Sequence, residues 1–446
     1  MTVLLYALGV LAVALGIAVS IALHELGHLI PAKAFGVRVT QYMIGFGPTI
    51  LARRRGETEY GIKAFPLGGY IRMIGMYPPR RDDAPGTIRE DSTGMFQQMA
   101  QDAREWEAEQ YEPAESHRTF SALTVPRKLV VMLGGPTMNL LISAVLLGVL
   151  VCGIGLPASS TTVETVSRCV LPADAPEGTS CDGHPEAPAL AAGIEPGDRL
   201  LEIDGHAIDR WADVTGAVRG AGDREIDVVV ERDGERLTLH ATPILDQRPV
   251  IAEDGSAKTD ANGDVVTEEV GFLGVGPGQE LQRQSVLAVP GMVGQTFEGT
   301  ARIVVTLPMR LIDVAKAAFG DGERDPNGPI GVVGVSRLAG EVASADQPRF
   351  DLTAKISTLI SMLASLNMAL FVFNLIPLMP LDGGHVAGAL VEGVRRRIAR
   401  WRGRPDPGPV DMSRLLPLTN VVALLFLGMT VMLLYADIVD PITLFP

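Results

Sequence analysis

His24, Glu25 and His28 stand in the segment His24-Glu25-Leu26-Gly27-His28 and form the pattern H-E-x-x-H. On a helix this spacing places two imidazoles one turn apart on one face, where both can ligate a single Zn²⁺. The carboxylate between them can then take a proton from an activated water. A catalytic zinc site commonly has three protein ligands and one open position, so a third ligand must come from elsewhere. The best candidate is Asp382, in the run Asn374-Leu375-Ile376-Pro377-Leu378-Met379-Pro380-Leu381-Asp382-Gly383-Gly384.

The element that carries the first motif is unusual for a hydrolase. From about Val3 to Ala34 the chain is otherwise almost wholly apolar, long enough to span a bilayer, and has neither a basic start nor a small-residue cleavage site. Ionisable groups are costly in such a segment and mark a functional site by default. Three further apolar segments, about Leu129 to Leu156, Ile356 to Leu381 and Leu415 to Ile438, predict four spans in all. Val286 to Phe319 is also apolar but is interrupted by Glu298, Arg302, Arg310, Asp313 and Lys316; it reads as an amphipathic helix against a membrane surface or against protein.

The mean hydropathy of +0.24 is too high for an ordinary soluble enzyme and too low for a chain lying entirely in lipid. The expectation is therefore a polytopic α-helical membrane protein with one substantial polar part. Lys33, Arg38 and Arg53 to Arg55, then Arg127 and Lys128, then Arg395 to Arg404, place three loops on the cytoplasmic side. The acid-rich stretch between spans two and three, which accounts for the net charge of -14, faces outward, as do both termini. This topology brings Asp382 to the same membrane face as His24 and His28. Nothing in the charge pattern points to nucleic acid.

Between the first two spans, Thr49 to Arg53, Glu59 to Phe65 and Gly69 to Gly75 have strand-like content and form a small membrane-associated β-sheet over 35–77. Its edge could hold an extended peptide, which makes Phe46, Gly68 and Gly69 expected substrate contacts. Residues 78–126 read as a solvated cytoplasmic insertion, highly charged from Pro78 to His117, and Asp246 to Glu269 as a mobile loop. Residues 281–355 read as the amphipathic helix and a linker, and 385–414 as a cytoplasmic loop. Cys169 and Cys181 fall in the outward part, where a disulfide is chemically permitted, while Cys152 in span two reads as a packing residue. His117, His184, His206 and His240 read as surface residues.

Two resemblances carry the reading further. Ala192-Gly193-Ile194-Glu195-Pro196-Gly197-Asp198-Arg199-Leu200, continuing to Gly205, resembles the PDZ domains of bacterial proteases and implies an extracytoplasmic α/β PDZ domain within 158–280. H-E-L-G-H in span one, Gly134-Gly135-Pro136-Thr137-Met138-Asn139 in span two and N-x-x-P-x-x-P-L-D-G-G in span three look like the site-2 protease family of intramembrane zinc metalloproteases. With Asn367 seven residues before Asn374, the chain looks most like actinobacterial members that cleave anti-sigma factors.

The resemblance implies His24, His28 and Asp382 as zinc ligands and Glu25 as general base; His385, although close in sequence, is not the family's ligand. Asn139 and Asn374 are costly in lipid unless they face a polar cavity or one another, and the family likeness implies that they contact substrate. The implied substrate is the transmembrane segment of a single-span regulator already trimmed by another protease. A silent PDZ scaffold is the alternative class, against which the complete His, Glu, His and Asp set argues; a metal transporter would need ligands at several depths.

Overall fold

The computed structural model describes residues 2–76, 117–172, 175, 179–250, 258, 265–320, 324–325, 328–347 and 350–444. The chain divides into two compact units, Met1–Gly153 with Ser285–Pro446, and Ile154–Gln284.

The first unit begins with helix α1 (Thr2–Ala34), largely apolar apart from the H-E-x-x-H segment and Lys33, with Pro31 in its last turn. The chain then turns into two long antiparallel strands, β1 (Val39–Arg55) and β2 (Thr58–Met73), paired from Val39 opposite Met73 to Arg55 opposite Thr58. The three expected strand runs are thus two strands with repeated register shifts. Such bulges let an apolar ribbon bend back over the helix that precedes it. Most of the expected cytoplasmic insertion, 78–116, lies outside the described residues. Its expected end does not: Phe120 and Leu123 are buried with Leu29, Val37 and Val131, so core packing resumes before the second span. That span is α2 (Val125–Gly148), continued by a wider helical turn at Val149–Ile154.

The second unit holds a six-stranded sheet. Its elements are β3 (Leu156–Val166), the short helix α3 (Pro188–Ala191), β4 (Arg199–Ile203), β5 (His206–Ala207), α4 (Trp211–Arg219), β6 (Ile226–Arg232), β7 (Glu235–Ala241), β8 (Ile244–Pro249), β9 (Thr267–Phe272) and β10 (Val275–Gln282). The spatial order is β10-β3-β4-β6-β7, with β5 on β4, and Ile194, Leu200, Ile203, Val214, Ile226, Val228 and Leu273 form the core beneath α4. Alternation along β6, buried at Ile226, Val228 and Val230, is the pattern of a strand with one face on that core. The expected loop from Asp246 to Glu269 is corrected at both ends. Residues 244–249 and 267–272 pair as β8 and β9, and Arg248 lies over the Phe272 ring at 3.8 Å. Cys169 and Cys181 are joined as a disulfide. His184, His206 and His240 are exposed, with His240 Nδ1 2.8 Å from the Asp227 carboxylate.

The chain returns to the first unit through α5 (Val289–Phe319), α6 (Val332–Ser344), α7 (Leu352–Asn374), α8 (Asp382–Trp401) and α9 (Leu416–Val439). The expected amphipathic helix is α5; its Val314 is buried with Leu433 and Ala436 of α9, and Phe297 meets Phe371 of α7. Two expectations are corrected. The linker after α5 contains α6, which packs on the first half of α1 where Gly9 leaves room for the Ala339 backbone. The third apolar segment does not run on to the L-D-G-G motif: α7 ends at Asn374, the prolines at 377 and 380 fill a bend, and Asp382 opens a new helix where a cytoplasmic loop was expected. Four helices, α1, α2 with its extension, α7 and α9, are long and apolar enough to cross a membrane.

Candidate active site

The H-E-x-x-H segment lies in the last third of α1, as its spacing requires, and a second helix has to approach it closely. Glycine makes that approach possible. A Cβ on Gly27 would overlap the Gly134 carbonyl, and one on Gly135 would overlap His28 Nε2, so α2 crosses α1 backbone to backbone at the imidazoles. The crossing brings the Val131 carbonyl 2.8 Å from His28 Nδ1. An Nδ1–H donated there leaves the His28 Nε2 lone pair facing inward. It also buries Asn139 completely, with its Nδ2 3.0 Å from His24 Nδ1. The sequence reading assigns Asn139 to substrate contact, with an interhelical hydrogen bond as the alternative; here its amide meets His24 across the crossing of α1 and α2.

Asp382 enters from α8. Its Oδ2 lies 3.3 Å from Nε2 of both His24 and His28, and the two Nε2 atoms are 3.2 Å apart. Although buried, Oδ2 has no hydrogen-bond partner by angle. Three donor atoms therefore converge on one another. A tetrahedral Zn²⁺ with ligands at about 2.0–2.1 Å holds its donors about 3.3 Å apart. The nitrogen, nitrogen and oxygen donor set is also one that zinc accepts, so the residues fit the ion. His385, one turn further along α8, is not part of the convergent trio.

Glu25 is 8% exposed and lies between the histidine pair and β2. The Ile71 backbone on β2 lies beside its carboxylate. A Cβ on Gly69 would stand 2.9 Å from Glu25 Cγ and 3.0 Å from Ile21 Cγ2, so only a bare backbone passes there. Gly68 has a φ of +138° and lies against the Phe46 ring, which stacks at 6.1 Å on Tyr70. The structure thus sets Gly69 against Glu25 and its neighbour Gly68 against Phe46. Asn374 is half-buried at the last turn of α7, outside the convergent trio. Tyr42 on β1 donates its hydroxyl to the Ala22 carbonyl at 2.7 Å; burial, and then the Glu25 carboxylate, push its phenol up to about 12, so it stays protonated.

Some contributors carry no side-chain signal in the sequence. Val131 and Ile71 act through backbone atoms, and an apolar residue type announces neither. The Gly134-Gly135 pair is legible, because tandem glycine in an apolar helix signals a close backbone approach.

A membrane-spanning bundle with a helix-borne H-E-x-x-H completed by a distant carboxylate defines an intramembrane metallohydrolase. Residues 12–404 match the model of peptidase family M50, and the chain belongs to that family, the site-2 proteases. It is 31% identical over 452 residues to the zinc metalloprotease Rip1 of Mycobacterium tuberculosis, covering 99% of this chain and 100% of that one. It is 28% identical over 392 residues to the metalloprotease MmpA of Caulobacter vibrioides, covering 86% of each. To the zinc metalloprotease RasP of Geobacillus kaustophilus it is 25% identical over 418 residues, covering 83% of this chain and 86% of that one. The protein is a zinc metalloendopeptidase and a multi-pass membrane protein.

Proposed function

We propose that this protease cuts the transmembrane segments of single-span regulators, such as anti-sigma factors whose outer domain another protease has already removed. The observation that carries the reading is the convergence of His24, His28 and Asp382 within 3.3 Å inside a bundle of membrane spans, with a β-strand passing beside Glu25.

His24, His28 and Asp382 hold the ion, and Glu25 is the general base. When bound, zinc supplies Lewis-acid chemistry, lowering the pKa of a water to about 7 and polarising the scissile carbonyl. Glu25, held against the β2 backbone at Gly69, takes the proton of the attacking water and returns it to the leaving amine nitrogen. Val131 fixes the tautomer of His28 through Nδ1, and Asn139 orients His24. In this arrangement the buried Asn139 Oδ1 has no partner; rotation of the amide offers it to an Nδ1–H and leaves His24 Nε2 free to ligate.

A helical substrate hides its carbonyls in i to i-4 hydrogen bonds, so it must unwind before reaction. The β1–β2 hairpin receives the unwound strand along Phe46, Gly68 and Gly69, with Asn374 contacting it from the end of α7. The site opens toward the cytoplasmic face, which the arginine-rich loops mark. The second unit is an extracytoplasmic PDZ-type domain. Its groove lies between α4 and the segment from β9 to the start of β10, lined by Trp211, Val214, Val218, Val270, Phe272 and Val275, and it screens chain ends before entry.

Expression of Glu25→Gln, followed by proteomics of membrane-retained fragments, tests the reading. One trimmed single-span protein should accumulate while zinc is kept. A fragment profile identical to that of wild type overturns it.

A further inference from the structure

Helix α8 has two sides with different duties. Its buried side carries Asp382, Ala389, Glu392 and Ala399 against the rest of the unit. Its other side is apolar and uncovered: Leu390 is 52% exposed, Val391 51%, Val394 59%, Ile398 43% and Trp401 85%. Those positions recur at helical spacing and form one continuous stripe. Arg395, Arg397, Arg400, Arg402 and Arg404 are exposed around and just beyond it. None of these five pairs with a carboxylate among the described residues, whereas Arg396 is 2.9 Å from Glu392 and 3.5 Å from Asp406.

The depth of this stripe follows from the packing of α8 on α2. Asp382 lies at His28, beside Gly135, while Lys128 Nζ meets Glu392 at 2.8 Å and a Cβ on Gly393 would stand 3.3 Å from Val125, the first residue of the span. The two helices therefore run antiparallel, and everything after Gly393 lies past the end of the hydrocarbon-crossing part of α2. Eight residues of helix, about 12 Å, project there. That is where phosphate headgroups begin, and a Trp with guanidinium groups above an apolar stripe is the composition that seats at this level.

We propose that the outer end of α8 is a binding surface for anionic phospholipid headgroups. Leu390 and Val391 face the edge of the acyl layer, Val394, Ile398 and Trp401 seat at the interface, and the five unpaired arginines contact phosphates. Charge complementarity selects anionic over zwitterionic lipid, because no carboxylate among the described residues competes for these arginines. Asp382 opens the same helix and is separated from α7 by the bend at 375–381, so a helix seated by headgroups keeps this residue level with the imidazoles.

The full-length protein in nanodiscs provides the test. The emission lost in Trp401→Phe isolates the Trp401 contribution, and phospholipids brominated near the headgroup quench it on contact. At equal mole fraction in a mixed bilayer, brominated phosphatidylglycerol should quench this contribution at least about threefold more than brominated phosphatidylcholine. Changing Arg395, Arg397, Arg400, Arg402 and Arg404 together to Gln should remove the preference while zinc content stays constant. Equal quenching by the two lipids, quenching by neither, or a preference that survives the Gln changes each overturns the proposal.

Discussion

Gly69 and Glu25 are in backbone-to-side-chain contact: a methyl group added to Gly69 would lie 2.9 Å from Glu25 Cγ. The strand proposed to receive a peptide therefore touches the residue proposed to move the proton. Gly69→Ala should push β2 away from the base. A displacement of about 1 Å at a reacting group costs on the order of 100-fold in rate. Cleavage of a transmembrane substrate in detergent should fall by about that factor with zinc content unchanged, and normal turnover would show that β2 does not position substrate.

Gly135 tests the other side of the site. Any side chain there occupies the space of His28 Nε2, so Gly135→Ala should separate α1 from α2 and lose most of the bound zinc. Helical content by circular dichroism should persist, because the bundle has other contacts. Metal analysis at wild-type stoichiometry would contradict this crossing.

Asn139 is fully buried against His24, a position from which partners of metal-bound imidazoles typically contribute about 10–100-fold in affinity. Asn139→Ala should weaken zinc retention against a competing chelator by that amount. Asn139→Asp, which still presents an acceptor to Nδ1, should recover most of it. Loss of substrate affinity with unaltered zinc retention would instead return Asn139 to substrate binding.

Lys128 and Glu392 form a buried pair joining α2 to α8, with side-chain exposures of 5% and 3%. Glu392→Leu leaves the Lys128 ammonium buried without its partner and should cost about 3–5 kcal/mol, while Lys128→Met leaves Glu392 paired with Arg396 and should cost less. Combining the two changes should restore much of the larger loss. Thermal unfolding of the two single variants and the double variant measures the coupling.

In the second unit, burial raises the Asp198 carboxyl, but the Arg232 guanidinium, with bonds of 2.7 Å, and the Glu195 N–H together hold it below the usual 3.8. A carboxyl whose pKa is depressed by folding contributes stability above the unfolded value and loses it as pH falls through the folded value. The contribution is thus complete above about pH 5 and declines below about pH 4. Hydrogen exchange of β4 amides, corrected for intrinsic rates, should show protection falling in that acid window. Asp198→Asn should be less stable at neutral pH and show a flatter acid response.

Much of the site is legible in residue types and spacing. A period of 3.6 residues in α1 places His24 and His28 on one face, because that relation is local and helical geometry is fixed. Four spans follow from segment length and apolarity. Less legible is where apolar helices stop. The run from Ile356 to Leu381 is continuous in hydropathy, yet it breaks after Asn374, since proline geometry and the packing of α8 on α2 decide its end. Residues 332–344 and 382–401 form helices that an average over composition hides, because their stability comes from contacts with α1 and α2.

The chemistry is written in the chain itself: two imidazoles, a carboxylate base and a distant aspartate, carried in segments that lipid would reject without a function. Folding in three dimensions settled the rest, namely that Asp382 opens its own helix, that Asn139 turns to His24, and that β2 runs bare past Glu25. Those facts depend on contacts between residues far apart in the chain, some made by backbone atoms common to every residue. Spacing along a sequence cannot encode such contacts, whereas close packing between helices and strands fixes each of them.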